Sequence, residues 1–247
     1  EPAPAAPVDA PRAPVVPAPQ TAAPSDAKRT TVTRIIHDER GFKLQVDGKD
    51  FPVHGVNWGY TPIGENYRYS LWTQPEDFIK QVLAKEMGLL RDAGFNAIRQ
   101  FDDIPPVWVE YIYRNYGIHT LLNPLMGRYG HPVNGVMVVN IDYSNPEHRK
   151  AILSALAEKV EIYRDVPGVL MWLLGNENNY GLHWTSFEIE ALPGQEDAAR
   201  AESLYTLYGE AARTVKKRDT NHPVSIANGD LQYIDLIARH CQDLDVL

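Results

Sequence analysis

From Thr31 onward the chain alternates between short apolar runs and longer segments whose apolar residues recur at helical spacing. Residues 41–56, GFKLQVDGKDFPVHGV, alternate polar and apolar positions around Asp47-Gly48, a dipeptide suited to a tight turn with positive φ, and so predict a hairpin. The hairpin feeds a first parallel strand at residues 53–57. After it Phe78, Val82, Leu83, Met87 and Leu90 fall at helical spacing, and Gly94 supplies the left-handed position that ends such a helix. Residues 96–99 then read as a second strand, 107–116 as a helix and 119–122 as a third strand. The next helix opens with Asn145 as its cap and Pro146 at the first helical position, and Ile152, Leu156, Val160 and Tyr163 stripe its buried side. Residues 169–174 read as strand four and 202–217 as a helix, whose closing Lys216, Lys217 and Arg218 complement the helix dipole. Residues 223–227 and 244–247 read as strands five and six.

Strands alternating with helices imply a parallel sheet, either open and doubly wound or closed into a barrel. A dinucleotide-binding sheet places a glycine-rich phosphate turn after an early strand. Here the first strand runs instead into Asn57-Trp58-Gly59-Tyr60, too aromatic to cradle a pyrophosphate. Polar or aromatic groups follow most strands: Asn57 and Trp58, then Arg99 and Asp102, Asn123, Asn176 and Glu177, and last Asn228 and Asp230. In a barrel those ends converge on one mouth. The expected fold is α/β, a (β/α)8 TIM barrel over residues 31–247 with about six of its eight units in this chain.

The stretch 169–181, VLMWLLGNENNYG, carries the most chemistry: an apolar run that stops abruptly on Asn176 and Glu177. A strand buried on both faces reads this way, and in a parallel barrel its C-terminal end opens into the active-site mouth. Glu177 then stands where chemistry happens; the plain alternative is a loop glutamate that merely ends a strand. Trp172 in the strand and Asn176, Asn178 and Asn179 around the carboxyl suit a polyhydroxylated ligand.

Composition narrows the partners. A chain of 247 residues, 44% hydrophobic and 23% charged, buries a sizeable core. Its formal net charge of -8 and absence of a basic run argue against a nucleic-acid partner. No apolar stretch approaches the ~20 residues that span a bilayer, so no transmembrane segment is expected. Residues 1–26, EPAPAAPVDAPRAPVVPAPQTAAPSD, favour extended polyproline II over any packed element and read as a tether, so that 1–30 stand apart from the barrel domain. Spacers of this kind separate an exported domain from a membrane or wall anchor, and the missing initiator Met fits removal of a signal segment, so an exported protein is expected. The alternative is an arbitrary boundary. Cys241 stands alone, so no internal disulfide forms; its apolar neighbours Ile234, Ile237 and Ala238 suggest a buried, inert thiol. Histidines are numerous (His54, His119, His131, His183, His222), but none forms a His-x-His pair or an i, i+4 couple, so neither a metal site nor a cofactor is expected.

The combination FPVHGVNW, AGFNAIR and VLMWLLGNENNYG resembles the catalytic barrel of the clan A glycoside hydrolases, most closely that of family 2, which includes β-galactosidases, β-glucuronidases and β-mannosidases. The resemblance covers roughly residues 41–247 and implies the barrel and a retaining mechanism. By it, Glu177 is the general acid/base, Asn176 hydrogen-bonds the sugar 2-hydroxyl and Arg99 positions the nucleophilic carboxylate. Retaining glycosidases need two carboxyls ~5 to 5.5 Å apart, and Glu177 fills only one role. The family's nucleophile is a glutamate at the end of strand seven, which on this count falls beyond Leu247. Asp102, Asp103 and Asp230 read as ligands of sugar hydroxyls or structural partners rather than as substitute nucleophiles. Trp58, Tyr60, Trp72, Tyr180 and Trp184 offer rings that stack on sugars, or else belong to the core; Tyr180 and Trp184, just after Glu177, are the stronger candidates.

The expected function is a retaining β-glycoside hydrolase acting on a poly- or oligosaccharide or a glycoconjugate. The alternatives are a β-glucan-type transglycosylase and a carbohydrate-binding barrel without turnover. With only part of a barrel present, this stretch alone is expected to self-associate and to lack activity; its oligomeric state is otherwise open.

Deleting residues 1–26 is expected to leave the melting temperature unchanged, because a proline-rich segment without apolar period has nothing to pack. Thermal unfolding of the two chains checks this: a drop of several degrees would show the segment docked on the domain.

Overall fold

A computed structural model describes residues 30–66, 68–99, 101, 104–182 and 197–247. The tether, save Thr30, lies outside them. Three strands come first: β1 (Thr33–Asp38), β2 (Gly41–Val46) and β3 (Lys49–Asp50) form an antiparallel sheet. The expected hairpin turn is there, with φ of 48° at Asp47 and 78° at Gly48, both in the left-handed region that tight two-residue turns require. Then follow β4 (Gly55–Asn57), α1 (Glu76–Asp92), β5 (Ala97–Arg99), α2 (Pro106–Tyr116), β6 (His119–Leu122), a hairpin of β7 (His131–Val133) and β8 (Val136–Val138), α3 (Pro146–Tyr163), β9 (Val169–Leu174), α4 (Asp197–Lys216), β10 (Val224–Ile226) and α5 (Ile234–His240).

The functional frame is a five-stranded parallel sheet in the order β4-β5-β6-β9-β10. Each strand pairs with the next parallel strand of the chain, without the order reversal that marks a doubly wound fold. Consecutive helices pack side by side, α1 on α2, α3 on α4 and α4 on α5. Among the described residues the sheet is open: β4 and β10 are its edges and no closed barrel forms. The pairing of β6 with β9 slips between Thr120 and Leu121, so that β9 carries an extra residue, Leu170; Val169 and Leu170 are consecutively buried there. Such bulges re-aim a strand and recur next to active sites.

Local signals account for most element ends. The Asn145 side chain accepts from the backbone N–H groups of Glu147 (2.8 Å) and His148 (3.4 Å), with Pro146 opening α3. Gly94 and Gly117, with φ of 87° and 70°, turn the chain out of α1 and α2. Ile152, Leu156, Val160 and Tyr163 are buried as their spacing implied. On α1 the face is rotated from the expectation: Ile79, Val82, Leu83 and Met87 are buried, whereas Phe78 is exposed and Leu90 only partly covered. Phe78 instead meets Tyr60 edge-on, with 6.4 Å between ring centroids, above the mouth of the sheet.

The expected sixth strand is absent. Residues 244–247 run beside β10, where the Asp245 N–H donates to the Val224 carbonyl (2.9 Å). The Val224 N–H, however, donates to the Asp245 carboxylate (2.9 Å), which takes the place of a strand's carbonyl, and Lys216 Nζ holds that carboxylate at 2.6 Å. A side chain that consumes the edge's donor stops the ladder after one rung. The count is therefore five strands, not six.

The β1–β3 sheet sits at the N-terminal ends of the parallel strands. Thr31 Oγ1 accepts from the Gly168 N–H (2.7 Å), Thr33 N–H donates to the Asn221 carbonyl (2.8 Å), and Phe51 packs edge-on to His119 at 5.0 Å. At the same end, the buried Asp219 carboxylate accepts from the buried Trp172 Nε1 (2.7 Å) and His222 Nδ1 (2.8 Å) and from the backbone N–H groups of Asn221 (2.8 Å) and His222 (3.2 Å). Cys241 is buried beyond α5, its thiol donating to the Tyr205 carbonyl (3.2 Å); burial pushes its pKa up to about 12, as suits an inert thiol. Among the described residues no helix is long and apolar enough to cross a membrane.

This end of the molecule makes the fold acid-labile. Burial pushes the His119 pKa down to about 4 from its ordinary 6.5. Burial alone would raise the Asp219 carboxyl, but the His222 ring, Trp172 and the Asn221 N–H together hold it below its ordinary value. As pH falls below 6.5 the unfolded chain takes up a proton that folded His119 refuses, and below 3.8 the same holds for Asp219, so both contributions are present at neutral pH and lost in acid. Urea unfolding is expected to show stability falling by roughly 2–4 kcal/mol between pH 7 and pH 4, with most of that slope removed by His119→Gln. A flat profile over this window would contradict the assignment.

Candidate active site

Because the five strands are parallel, their C-terminal ends share one rim, and the polar residues singled out in the sequence gather there. Asn57 and Trp58 leave β4, Arg99 ends β5, Asn123 follows β6, Asn176 and Glu177 follow β9, and Asn228 and Asp230 follow β10. Asp102 and Trp184, also expected at the site, lie outside the described residues.

Asn123 is the hub. Its Oδ1 accepts from Arg99 Nε (3.1 Å) and Nη2 (3.0 Å), and its Nδ2 donates to the carbonyls of Leu173 and Gly175 (2.6 Å each). Arg99 Nη2 also donates to Asn176 Oδ1 (2.9 Å), while Asn176 Nδ2 donates to the Tyr129 hydroxyl (3.1 Å). Arg128 Nε donates to the Asn176 carbonyl (2.9 Å). Three amide and guanidinium groups from three neighbouring strands therefore hold one another in register. Burial draws the Arg99 pKa below its ordinary value, and the negative field of Glu177 opposes that shift, which places the carboxylate within electrostatic reach of the guanidinium.

Glu177 itself is exposed and sits in the left-handed region at φ 56°, two residues after Gly175 at 74°. For a non-glycine residue this conformation costs about 1–3 kcal/mol and persists only where surroundings enforce it. They do so here: the Glu177 N–H donates to the Ala227 carbonyl (2.8 Å), and the Asn176 N–H donates to Asn178 Oδ1 (2.8 Å). The turn lifts the carboxylate clear of the sheet.

Asn178 and Asn179 do not crowd the carboxyl as the sequence suggested. Asn178 Nδ2 reaches the Met126 carbonyl (3.2 Å) and the Tyr143 hydroxyl (2.9 Å), and Asn179 Oδ1 accepts from the Gly229 N–H (2.9 Å). Both are buried and tie the Glu177 turn to neighbouring loops. Tyr180 Oη donates to the Gly229 carbonyl (2.8 Å), Asn228 joins the Tyr205 hydroxyl (3.0 Å) to the Asp230 carbonyl (2.6 Å), and Asp230 Oδ1 accepts from the Gln232 N–H (2.9 Å). These three shape the rim with polar atoms already engaged. Trp58 is buried at the β4 end, its backbone N–H donating to the Arg99 carbonyl (2.8 Å).

The sequence places Asn123 among the converging strand ends but assigns it no role there, and it does not single out Arg128 and Tyr129. Asn123 was visible as a polar residue closing an apolar strand. Arg128 and Tyr129 carried no signal of their own, but they stand just before the β7–β8 hairpin, whose Asn134-Gly135 turn, with φ of 50° and 80°, is a hairpin signal that could have marked an excursion at this strand end.

No protein-family model and no curated protein matches the chain by sequence. Solved structures do match it by shape. A β-glucuronidase from Parabacteroides merdae aligns with a TM-score of 0.53 at 15% identity, over 78% of this chain and 20% of that one. A glycosyl hydrolase family 2 member from Bacteroides cellulosilyticus gives 0.50 at 18%, over 87% and 23%. The endo-1,4-β-mannanase from Rhizomucor miehei gives 0.50 at 17%, over 75% and 58%. The chain spans about a fifth of the two bacterial proteins' length. What is shared at this identity is the fold: an α/β arrangement with a parallel sheet, as found in glycoside hydrolases.

Gly175 is the position on which the site's geometry can be tested. A Cβ built there overlaps the Tyr208 hydroxyl and stands 2.7 Å from Asn178 Oδ1, and its φ of +74° disfavours any side chain. Gly175→Ala is expected to lower stability by roughly 2–5 kcal/mol, the sum of backbone strain and overpacking. Chemical denaturation measures this, and a loss under 1 kcal/mol would mean the turn is looser than described.

Proposed function

We propose that the chain carries the acid/base half of a retaining β-glycosidase site, with Glu177 as general acid/base, on a sheet belonging to a (β/α)8 barrel. One observation carries the reading: an exposed carboxylate held in a strained turn at a parallel strand's end, beside an amide that a guanidinium orients. In the first step Glu177 protonates the leaving glycosidic oxygen. In the second, as a carboxylate, it activates the water that releases the sugar. Asn176 has its Oδ1 turned to Arg99, which directs the two N–H donors of its amide away from the guanidinium; one meets Tyr129 and the other is offered to a sugar hydroxyl. Arg99 keeps that amide in place and supplies fixed positive charge where a nucleophilic carboxylate would develop its bond to the anomeric carbon. The unreversed strand order and the likeness to glycoside hydrolases support the barrel; the proline-rich leader fits an exported, tethered enzyme.

A sugar-binding site without turnover is the second reading. It is favoured by the engagement of Asp230 in a turn, which leaves this neighbouring strand-end acid poorly placed to act as nucleophile.

In a protein that carries both carboxylates, Glu177→Gln is expected to reduce turnover of β-glycosides with poor leaving groups by about 10² to 10⁴, as loss of a general acid does, while binding is largely kept. Steady-state assays on oligosaccharides decide this: turnover near wild type in the variant would remove Glu177 from the role. Labelling with 2-fluoro-glycosyl fluorides and peptide mapping identifies the partner carboxylate; absence of both label and turnover favours the binding reading.

A further inference from the structure

Next to the Glu177 site lies a concave pocket of about 360 Å³ between the end of β4 and the short helical turn Leu71–Thr73. Its walls are rings: Trp58, Tyr60, Tyr69, Trp72 and Phe101. Tyr60 and Tyr69 stand 6.2 Å apart, Trp58 and Trp72 also 6.2 Å, and Trp72 stacks on Trp108 behind the wall at 27° between planes. Aromatic residues normally finish in the core, yet Tyr60, Tyr69 and Trp72 are only partly covered and Phe101 is 42% exposed. Asn57 and Ser70 supply polar edges, and among the described residues the lining holds no charged side chain. The indole N–H groups of Trp58 and Trp72 are buried without a partner, Trp58 being 8% exposed. Orphaned donors of this kind are rare in native structures.

The pocket is joined to the catalytic cluster by Phe101, whose ring lies 4.7 Å from the Arg99 guanidinium, the group that holds Asn176. We infer that the pocket is a second sugar subsite taking an uncharged pyranose ring, so that the substrate is a neutral β-linked oligosaccharide bound through at least two sugars. This rests on the glycosidase reading above for the identity of the neighbouring site. A pyranose with equatorial hydroxyls presents apolar C–H faces to aromatic rings and hydroxyl edges to N–H and amide groups. A uronic acid would have to bring its carboxylate against described lining residues that hold no cation, at a desolvation cost that none of them offsets. The volume lies within the roughly 300–1,000 Å³ of ligand pockets.

The test reads binding alone. Tryptophan fluorescence of the 247-residue chain is titrated with cellotetraose, mannotetraose and laminaritetraose as neutral probes and with a hyaluronan tetrasaccharide as the charged one. At least one neutral probe is expected to give a saturable change that hyaluronan does not give over the same range. Tyr69→Ala and Trp72→Ala are each expected to weaken it about tenfold, the loss of one ring contact. Trp72 also packs on Trp108, so melting curves accompany both variants, and Tyr60→Ala replaces either one that unfolds. Saturable binding by none of the neutral probes, equal or tighter binding of hyaluronan, or affinity untouched by the substitutions overturns the subsite. Turnover by Glu177→Gln speaks to the acid/base reading separately and does not alter what the titration shows.

Discussion

The site depends on one buried amide. Asn123 uses both lone-pair directions of its oxygen on Arg99 and both N–H groups on the backbone of β9's end, so the side chain is saturated and has one orientation. Each of those bonds is worth only about 0.5–1.5 kcal/mol net, but leaving a buried partner unmet costs about 1–3 kcal/mol. Saturation therefore acts as a geometric lock. Arg99 is fixed by Asn123, Asn176 by Arg99, and the strained Glu177 follows Asn176 directly in the chain.

The opposite end of the sheet carries stability. There the β1–β3 sheet covers the strand starts, and the Asp219 carboxylate gathers four donors, among them the indole of Trp172 from the middle of β9. A charge so buried is tolerated because several donors meet it. One strand thus links both ends: Trp172 anchors β9 from below, and the Gly175–Glu177 turn directs the chain above.

Shape similarity to glycoside hydrolases rests on this frame and not on sequence, where identities are 15–18%. The frame needs only short apolar strands, helices with one buried stripe and polar residues at strand ends, and many sequences meet those demands. The chemistry proposed for the rim is more restrictive. It requires a carboxylate lifted out of the sheet, and the positive φ at Gly175 and Glu177 achieves that at the expense of local strain.

Much of the architecture was legible in the chain. The Asp47-Gly48 turn, the Asn145-Pro146 helix start, the buried stripe of α3 and the limits of β6 and β9 all follow from local rules: φ preferences, capping and apolar period act over a few residues and need no partner. Glu177, Asn176 and Arg99 were likewise visible as polar stops on apolar strands. What local rules do not encode was decided by tertiary contact. Residues 244–247 look like a strand, but the Asp245 side chain takes the edge donor that a strand would need. Asn178 and Asn179 look like ligands, but the loops around them turn them inward as braces. Phe78 fits a helical stripe, but Tyr60 draws it to the rim. Sequence determines which conformations and burial patterns are available locally, because those energies depend on near neighbours; which donors, acceptors and ring faces remain for a ligand depends on residues distant in the chain, and only the folded packing assigns them.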